Sequence, residues 1–277
     1  MNFPDNLLVG TSSWSCSDWL GSFYPVNLKP GQFIEAYARK FRAVEIDSTY
    51  YSIPPPHVVA NWREKTPPGF VFAAKIPGSI THEKVLVDCQ AEFTTFLKNI
   101  ELLGDRMGPL LLQFPYFSRE RFASREPFQR LLKPFLKSLP KDFKFALEIR
   151  NKYWISWDFL ELLRDHSVAF ALVAQAWMPP IDTLAKALDL VTGDFAYARF
   201  IGDRKAIEAK TARWDKVIED KSQEMTVWID ELKRIVNKGV KTYAFFNNHY
   251  AGFAPGSVKQ FEDLWEKASS KVGPSES

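Results

Sequence analysis

Cysteine is scarce: the 277-residue chain has two, Cys16 and Cys89. Two thiols so far apart exclude a disulfide-stapled scaffold and fit a reducing compartment. Asn-x-Ser/Thr sequons are absent. No uncharged apolar run reaches the roughly 20 residues that a membrane helix needs. The opening MNFPDNLLVG has no basic stretch leading into a long apolar run, so no secretory leader is expected. The expectation is a cytoplasmic protein with no membrane partner. An excess of one charge is missing too. Lys and Arg number 36 against 33 Asp and Glu, and a net charge of +3 gives little reason to expect a polyanion partner. Of the four histidines, His57, His82, His166 and His249, no two have zinc-helix spacing, and HEKVL is not H-E-x-x-H. No phosphate-binding P-loop, no G-x-G-x-x-G and no G-x-S-x-G elbow occurs, so no cofactor is predicted. Cys16 is expected to pack rather than react.

Short apolar runs, by contrast, are plentiful. Hydrophobic residues make up 46% and charged residues 25%, the balance of a globular chain. Eight runs read as strands: LLVGTSSW, AVEIDSTY, FVFAAKIP, GPLLLQFP, KFALEIR, AFALVAQ, FAYARFIG and TYAFFNNH. Amphipathic segments lie between them, over 33–41, 57–65, 91–103, 127–139, 157–166, 224–238 and 257–267. Strands alternating with helices pair in parallel, either as a doubly wound sheet or as a closed barrel. Eight units without a linker in 277 residues favour a single (β/α)8 TIM barrel over 1–277. Its core is expected at about 7–268, with an irregular link between strands six and seven and a frayed tail at 269–277. The loop GDRKAIEAKTARWDKVIEDK interleaves acids with bases and reads as a solvated helix. Nothing in the sequence fixes an oligomeric state.

In AVEIDSTYY, Val44 and Ile46 share one strand face and Glu45 and Asp47 the other. In a barrel the first pair faces the helices and the second the axis, near the C-terminal mouth where barrel active sites sit. Other strand ends carry polar residues in similar places: Ser12, Lys75, Gln113, Glu148 with Arg150, Gln175, Arg199, and Asn247 or Asn248 followed by His249. Two carboxylates ~6.5–7 Å apart repel by about 2.5 kcal/mol at an effective dielectric near 20. Glu45, Asp47 and Glu148 are balanced by Lys75, Arg150 and Arg199, so a divalent metal, on Glu45, Glu148, His82 and His249, is permitted but not required.

The acid–base reading assigns Glu45 and Glu148 as general base and acid, with Asp47 beside them. Lys75, Arg150 and Arg199 would hold an anionic group. Gln113, Asn247 and Asn248 would orient hydroxyls, and His82 and His249 would border the site. Trp14, Trp19, Trp154 and Trp177, with Phe23, Tyr24, Tyr50 and Tyr51, offer faces for a sugar or base, although packing of loops explains most of them. The substrate expected is small and polar, a sugar or a phosphorylated compound. Hydrolysis leads, with isomerase or lyase chemistry next. The alternatives are a protein that binds or processes nucleic acid, and a non-catalytic small-molecule binder.

The stretches GTSSWSCSDWLGSFYP, FRAVEIDSTYYSIP, FVFAAKIPGSITH, LGDRMGPLLLQFP, FALEIR, YARFIGDR and FFNNHYAGFAP resemble domain-of-unknown-function family seventy-two, the YecE-like family. The resemblance covers about residues 9–265 and implies a TIM-type barrel with no established activity. It matches the family pattern at Gly10, Thr11, Trp14, Trp19, Glu45, Lys75, His82, Gln113, Pro115, Glu148, Arg150, Arg199, Asn247 and Asn248. It departs from that pattern at Cys16, Asn151, Gln175 and Ile201–Gly202.

Overall fold

β-branched and aromatic runs bounded by Pro and Gly set eight strands, and the computed structural model describes residues 2–270. The strands are β1 (Leu7–Thr11), β2 (Ala43–Ile46), β3 (Val71–Lys75), β4 (Met107–Gln113), β5 (Phe145–Glu148), β6 (Ala169–Ala174), β7 (Phe195–Phe200) and β8 (Lys241–Phe246). They form one closed, all-parallel barrel in chain order, sealed where β1 pairs with β8. This is the TIM-barrel arrangement that the strand count predicts.

Helices α1 (Phe33–Ala38), α2 (Pro56–Glu64), α3 (Gln90–Ile100), α4 (Arg125–Lys137) and α5 (Trp157–Arg164) follow the first five strands. They are joined by α6 (Ile181–Ala187), α7 (Arg204–Glu208), α8 (Ser222–Asn237), α9 (Asn248–Ala251) and α10 (Ala254–Ser270). Pro56 opens α2, where its missing N–H is not needed. Two expectations need correction. The charged loop is helical only over α7, because Asp203 caps that short turn and the chain beyond 208 runs irregularly to α8. The tail is helical as far as Ser270, since Ser269 Oγ bonds back to the Trp265 carbonyl; residues 271–277 lie outside the described residues.

Two apolar layers hold the barrel. Val44, Ile46, Phe72, Leu112, Leu147, Phe200 and Phe246 face the helices. Leu8, Ala43, Ala73, Leu111, Ala146, Ala171, Phe195, Tyr197, Tyr243 and Phe245 fill the axis. Large rings from β7 and β8 are matched by alanines from β2, β3, β5 and β6, which keeps the interior at packing density. Gly10 is required where β1 meets β2: a Cβ there would sit 1.9 Å from the Ala43 carbonyl oxygen. Among the described residues no helix is long and apolar enough to cross a membrane.

Candidate functional site

The period of two that puts Ala43 on the axis puts Glu45 there also, one layer higher. Glu45 is fully buried. Its Oε2 accepts from the Tyr197 hydroxyl at 2.7 Å and from Arg199 Nε at 2.9 Å. Its Oε1 accepts from Arg199 Nη2 at 2.7 Å, a two-pronged pair. Arg199 turns its remaining nitrogen, Nη1, to Glu148 Oε2 at 2.6 Å. Glu148 Oε1 takes Arg150 Nε at 3.0 Å. Two buried carboxylates and two guanidinium groups thus close a brace across β2, β5 and β7. Burial pushes the Glu148 carboxyl up, but Arg199 and Arg150 outweigh burial and hold it at about 2. Burial and the Glu45 charge push the Tyr197 hydroxyl well above its ordinary range.

Above the brace opens a cleft of about 1110 Å³. Asp47, Lys75, His82, Gln113, Arg150, Gln175, Arg199, Asn247 and His249 line it. Lys75 ends β3 and is 8% exposed. Its Nζ lies 3.9 Å from the centre of the Tyr50 ring and 3.4 Å from Asp47 Oδ1. Burial draws the Lys75 ammonium below its usual range; Asp47 opposes this and Arg199 reinforces it. Thr49 Oγ1 donates to the Lys75 carbonyl at 2.6 Å and so fixes the two strand ends together. His82 sits edge-on to Tyr50, with burial, Lys75 and Arg150 holding its imidazole down at about 4. His249 bonds Asn247 Oδ1 through Nδ1 at 2.6 Å and packs against Trp214. Gln175 Oε1 is buried and has no hydrogen-bond partner among the described residues.

The sequence-predicted set divides three ways. Asp47, Lys75, Gln113, Arg150, Arg199, Asn247, His82 and His249 meet in the cleft. Glu45 and Glu148 lie beneath it, wholly bonded, so the expected acid–base pair has no solvent-facing oxygen. Trp14 and Asn248 lie elsewhere. Trp14 packs edge-on against Trp62 of α2 and Phe72 of β3, in the layer outside the barrel, because β1 ends at Thr11 and its alternation stops there. Asn248 Oδ1 accepts from the Ala254 N–H at 2.9 Å and from Trp19 Nε1 at 3.3 Å, tying loops together. In the permitted metal set Arg199 bonds oxygens of both glutamates, and among the described residues no group of three or more His, Cys, Asp or Glu is placed to hold an ion. Burial raises the Cys16 thiol, which fits packing rather than attack.

The rim is largely new relative to the sequence reading. Tyr50, Tyr51, Trp154 and Trp177 line it as anticipated aromatics, whereas Trp19, Phe23 and Tyr24 are packed together beneath loops. Tyr116, Phe117, Phe122 and Tyr153 also line it, as do Arg119, Lys152, Asp203, Arg204 and Lys205. Asn151 clamps the loop after β4, donating to the Phe117 carbonyl and accepting from its N–H, both at 2.8 Å.

The family model described as protein of unknown function DUF72 matches residues 8–277. The chain belongs to the DUF72 family. A DUF72 protein from Thermotoga maritima MSB8, solved by crystallography, is 30% identical with a TM-score of 0.72, over 95% of this chain and 99% of that one. UPF0759 protein YunF of Bacillus subtilis is 24% identical over 97% of this chain and 98% of its own length. UPF0759 protein YecE of Escherichia coli K12 is 36% identical over 145 residues, 52% of this chain and 48% of YecE, so the match spans about half of that relative. Outside DUF72, D-psicose 3-epimerase shares the barrel fold at 12% identity and a TM-score of 0.53, over 96% of this chain and 98% of its own.

Proposed function

We propose that this DUF72 protein is an enzyme that moves protons on a small anionic substrate held in the barrel mouth. The observation that carries this reading is the charge of the cleft. Lys75, Arg119, Arg150, Lys152, Arg199, Arg204 and Lys205 line it against Asp47 and Asp203 alone, although the whole chain is only +3. Arg199 is neutralised from below by two glutamates. Arg150 is not: its Nε is used, and its two terminal nitrogens make no hydrogen bond among the described residues. A guanidinium with two free N–H groups fits a carboxylate or phosphate.

The base is then Asp47, the partly exposed carboxylate beside Lys75, whereas Asp203, the other carboxylate of the rim, caps α7 through the Ala206 N–H. Glu45 and Glu148 act through position, holding Arg199 and Arg150 in place. Hydrolysis by two facing carboxylates loses support, because both candidates are tied to Arg199. Isomerase or lyase chemistry, which needs one base and one bound anion, gains it. Thermal-shift titration with inorganic phosphate tests the reading. Stabilisation of the wild type should weaken at least about tenfold in apparent affinity in Arg150→Ala, the loss expected for a charge-assisted pair. No phosphate response, or an unchanged one in Arg150→Ala, would count against it.

One observation favours a second reading. Tyr51, Tyr116, Tyr153 and Trp177 stand exposed around the cleft, interleaved with the rim cations, an arrangement suited to single-stranded nucleic acid. Binding that falls steeply with salt would support that reading over a small substrate.

A further inference from the structure

Lys75 is the amine that the network leaves over. The acidic oxygens in the barrel are all taken: Glu45 by Tyr197 and Arg199, Glu148 by Arg199 and Arg150. Among the described residues its ammonium has one hydrogen-bonded partner, Asp47, at a long 3.4 Å. It is buried at the end of β3 and lines the cleft that Arg150 lines as well. A lysine meant only to neutralise charge would be expected in short contact with a buried carboxylate. Here a primary amine faces the substrate space with cations behind it.

We propose that Lys75 captures carbonyl compounds: its amine condenses with the ketone or aldehyde of a small anionic substrate, while Arg150 holds that substrate's carboxylate or phosphate. This rests on the anion-binding reading above and names the substrate class within it. Burial and Arg199 favour the uncharged amine, against Asp47, Glu148 and Glu45. The nitrogen lone pair forms the C–N bond as the carbonyl electron pair moves to oxygen. Asp47, in reach of the nitrogen, relays the proton from nitrogen to that oxygen. The hydroxyl then takes a proton from solvent and leaves as water while the nitrogen lone pair forms the C=N bond, so amine plus carbonyl plus one proton gives the protonated imine plus water. The protonated imine draws electrons from the neighbouring carbon, and Asp47 is placed to take the proton released there.

The test is trapping on the wild-type protein. It is incubated separately with pyruvate and with dihydroxyacetone phosphate, reduced with sodium borohydride, and analysed by intact mass and peptide mapping. The expected result is one saturable adduct per chain, on Lys75, with at least one probe, and none on Lys75→Arg. Mapping on the wild type decides the matter even if that variant fails to fold. The proposal is overturned if neither probe labels Lys75, or if Lys75 labels at no lower concentration than the rim lysines Lys152 and Lys205. Phosphate stabilisation that depends on Arg150, without any adduct, would leave the anion site standing and remove carbonyl capture alone. Absence of both would remove the two together.

Discussion

Glu45→Gln is the sharpest probe of the brace beneath the cleft. The change keeps the side-chain volume and deletes one charge. Glu45 accepts three hydrogen bonds, two of them from Arg199. A glutamine in the same pose turns an N–H₂ group toward an N–H donor and leaves Arg199 with one carboxylate instead of two. At an effective dielectric near 20, a charge pair about 4 Å apart is worth about 4 kcal/mol. Removing one partner of a buried pair measures about 3–5 kcal/mol by mutation, so the two routes agree. Whole-protein stabilities lie near 5–15 kcal/mol, which makes such a loss plain in urea unfolding followed by circular dichroism at pH 7. Asp47→Asn is the comparison. Asp47 is about a third exposed (side chain 32%) and touches Lys75 only at 3.4 Å, so its loss should be at most about 1 kcal/mol. Adding Arg199→Met to Glu45→Gln removes the cation that lost its partner and should recover part of the loss. If Glu45→Gln costs less than about 1 kcal/mol, or less than Asp47→Asn, the brace is not structural and the assignment of Glu45 to a positioning role fails.

Further expectations follow from the same geometry. Glu148 is held at about 2 against an ordinary 4.5, so it contributes stability above pH 4.5 that is lost as pH falls toward 2; Glu148→Gln should flatten acid unfolding in that window, read by circular dichroism. His82 is held at about 4 against 6.5, so native stability should fall between pH 6.5 and 4 as the unfolded chain takes up the proton first; the His82 ring proton resonance should titrate near 4, and a midpoint near 6.5 would contradict the burial. Asn248→Ala strands the Ala254 N–H and Trp19 Nε1 and should cost about 1–3 kcal/mol in a thermal or urea melt while leaving phosphate binding intact.

Strands were legible and loops were not, and the boundary falls at particular residues. Alternation placed Val44 and Ile46 outward and Glu45 inward, and the same parity runs through Tyr197 and Arg199 on β7. The same parity separates Asn247 from Asn248, since Tyr243, Phe245 and Asn247 share one face. Trp14 departs from the expected face because β1 ends at Thr11, three residues before it, and alternation does not extend beyond the strand. The rim aromatics Tyr116, Phe122 and Tyr153 had no periodic signal, because irregular segments offer none. Charge counting read the site as self-neutralising, but composition alone could not say which cation would claim both glutamates. Arg199 does so because its planar fork serves two carboxylates at once, which the single ammonium of Lys75 does not.

Because the brace ties three strands to one another and leaves them only at Arg150, two residues past β5, the barrel separates what must stay from what is free to vary. A residue inserted into β2, β5 or β7 shifts one arm of the brace and breaks the others with it. An insertion after β4 or β6 alters only the rim, where Asn151 holds a single loop by one carboxamide. The scaffold should therefore accept loop exchange as a way to change what it grips, with the charged floor carried over unaltered. Libraries confined to the segments after β4 and β6 are the economical way to redirect it.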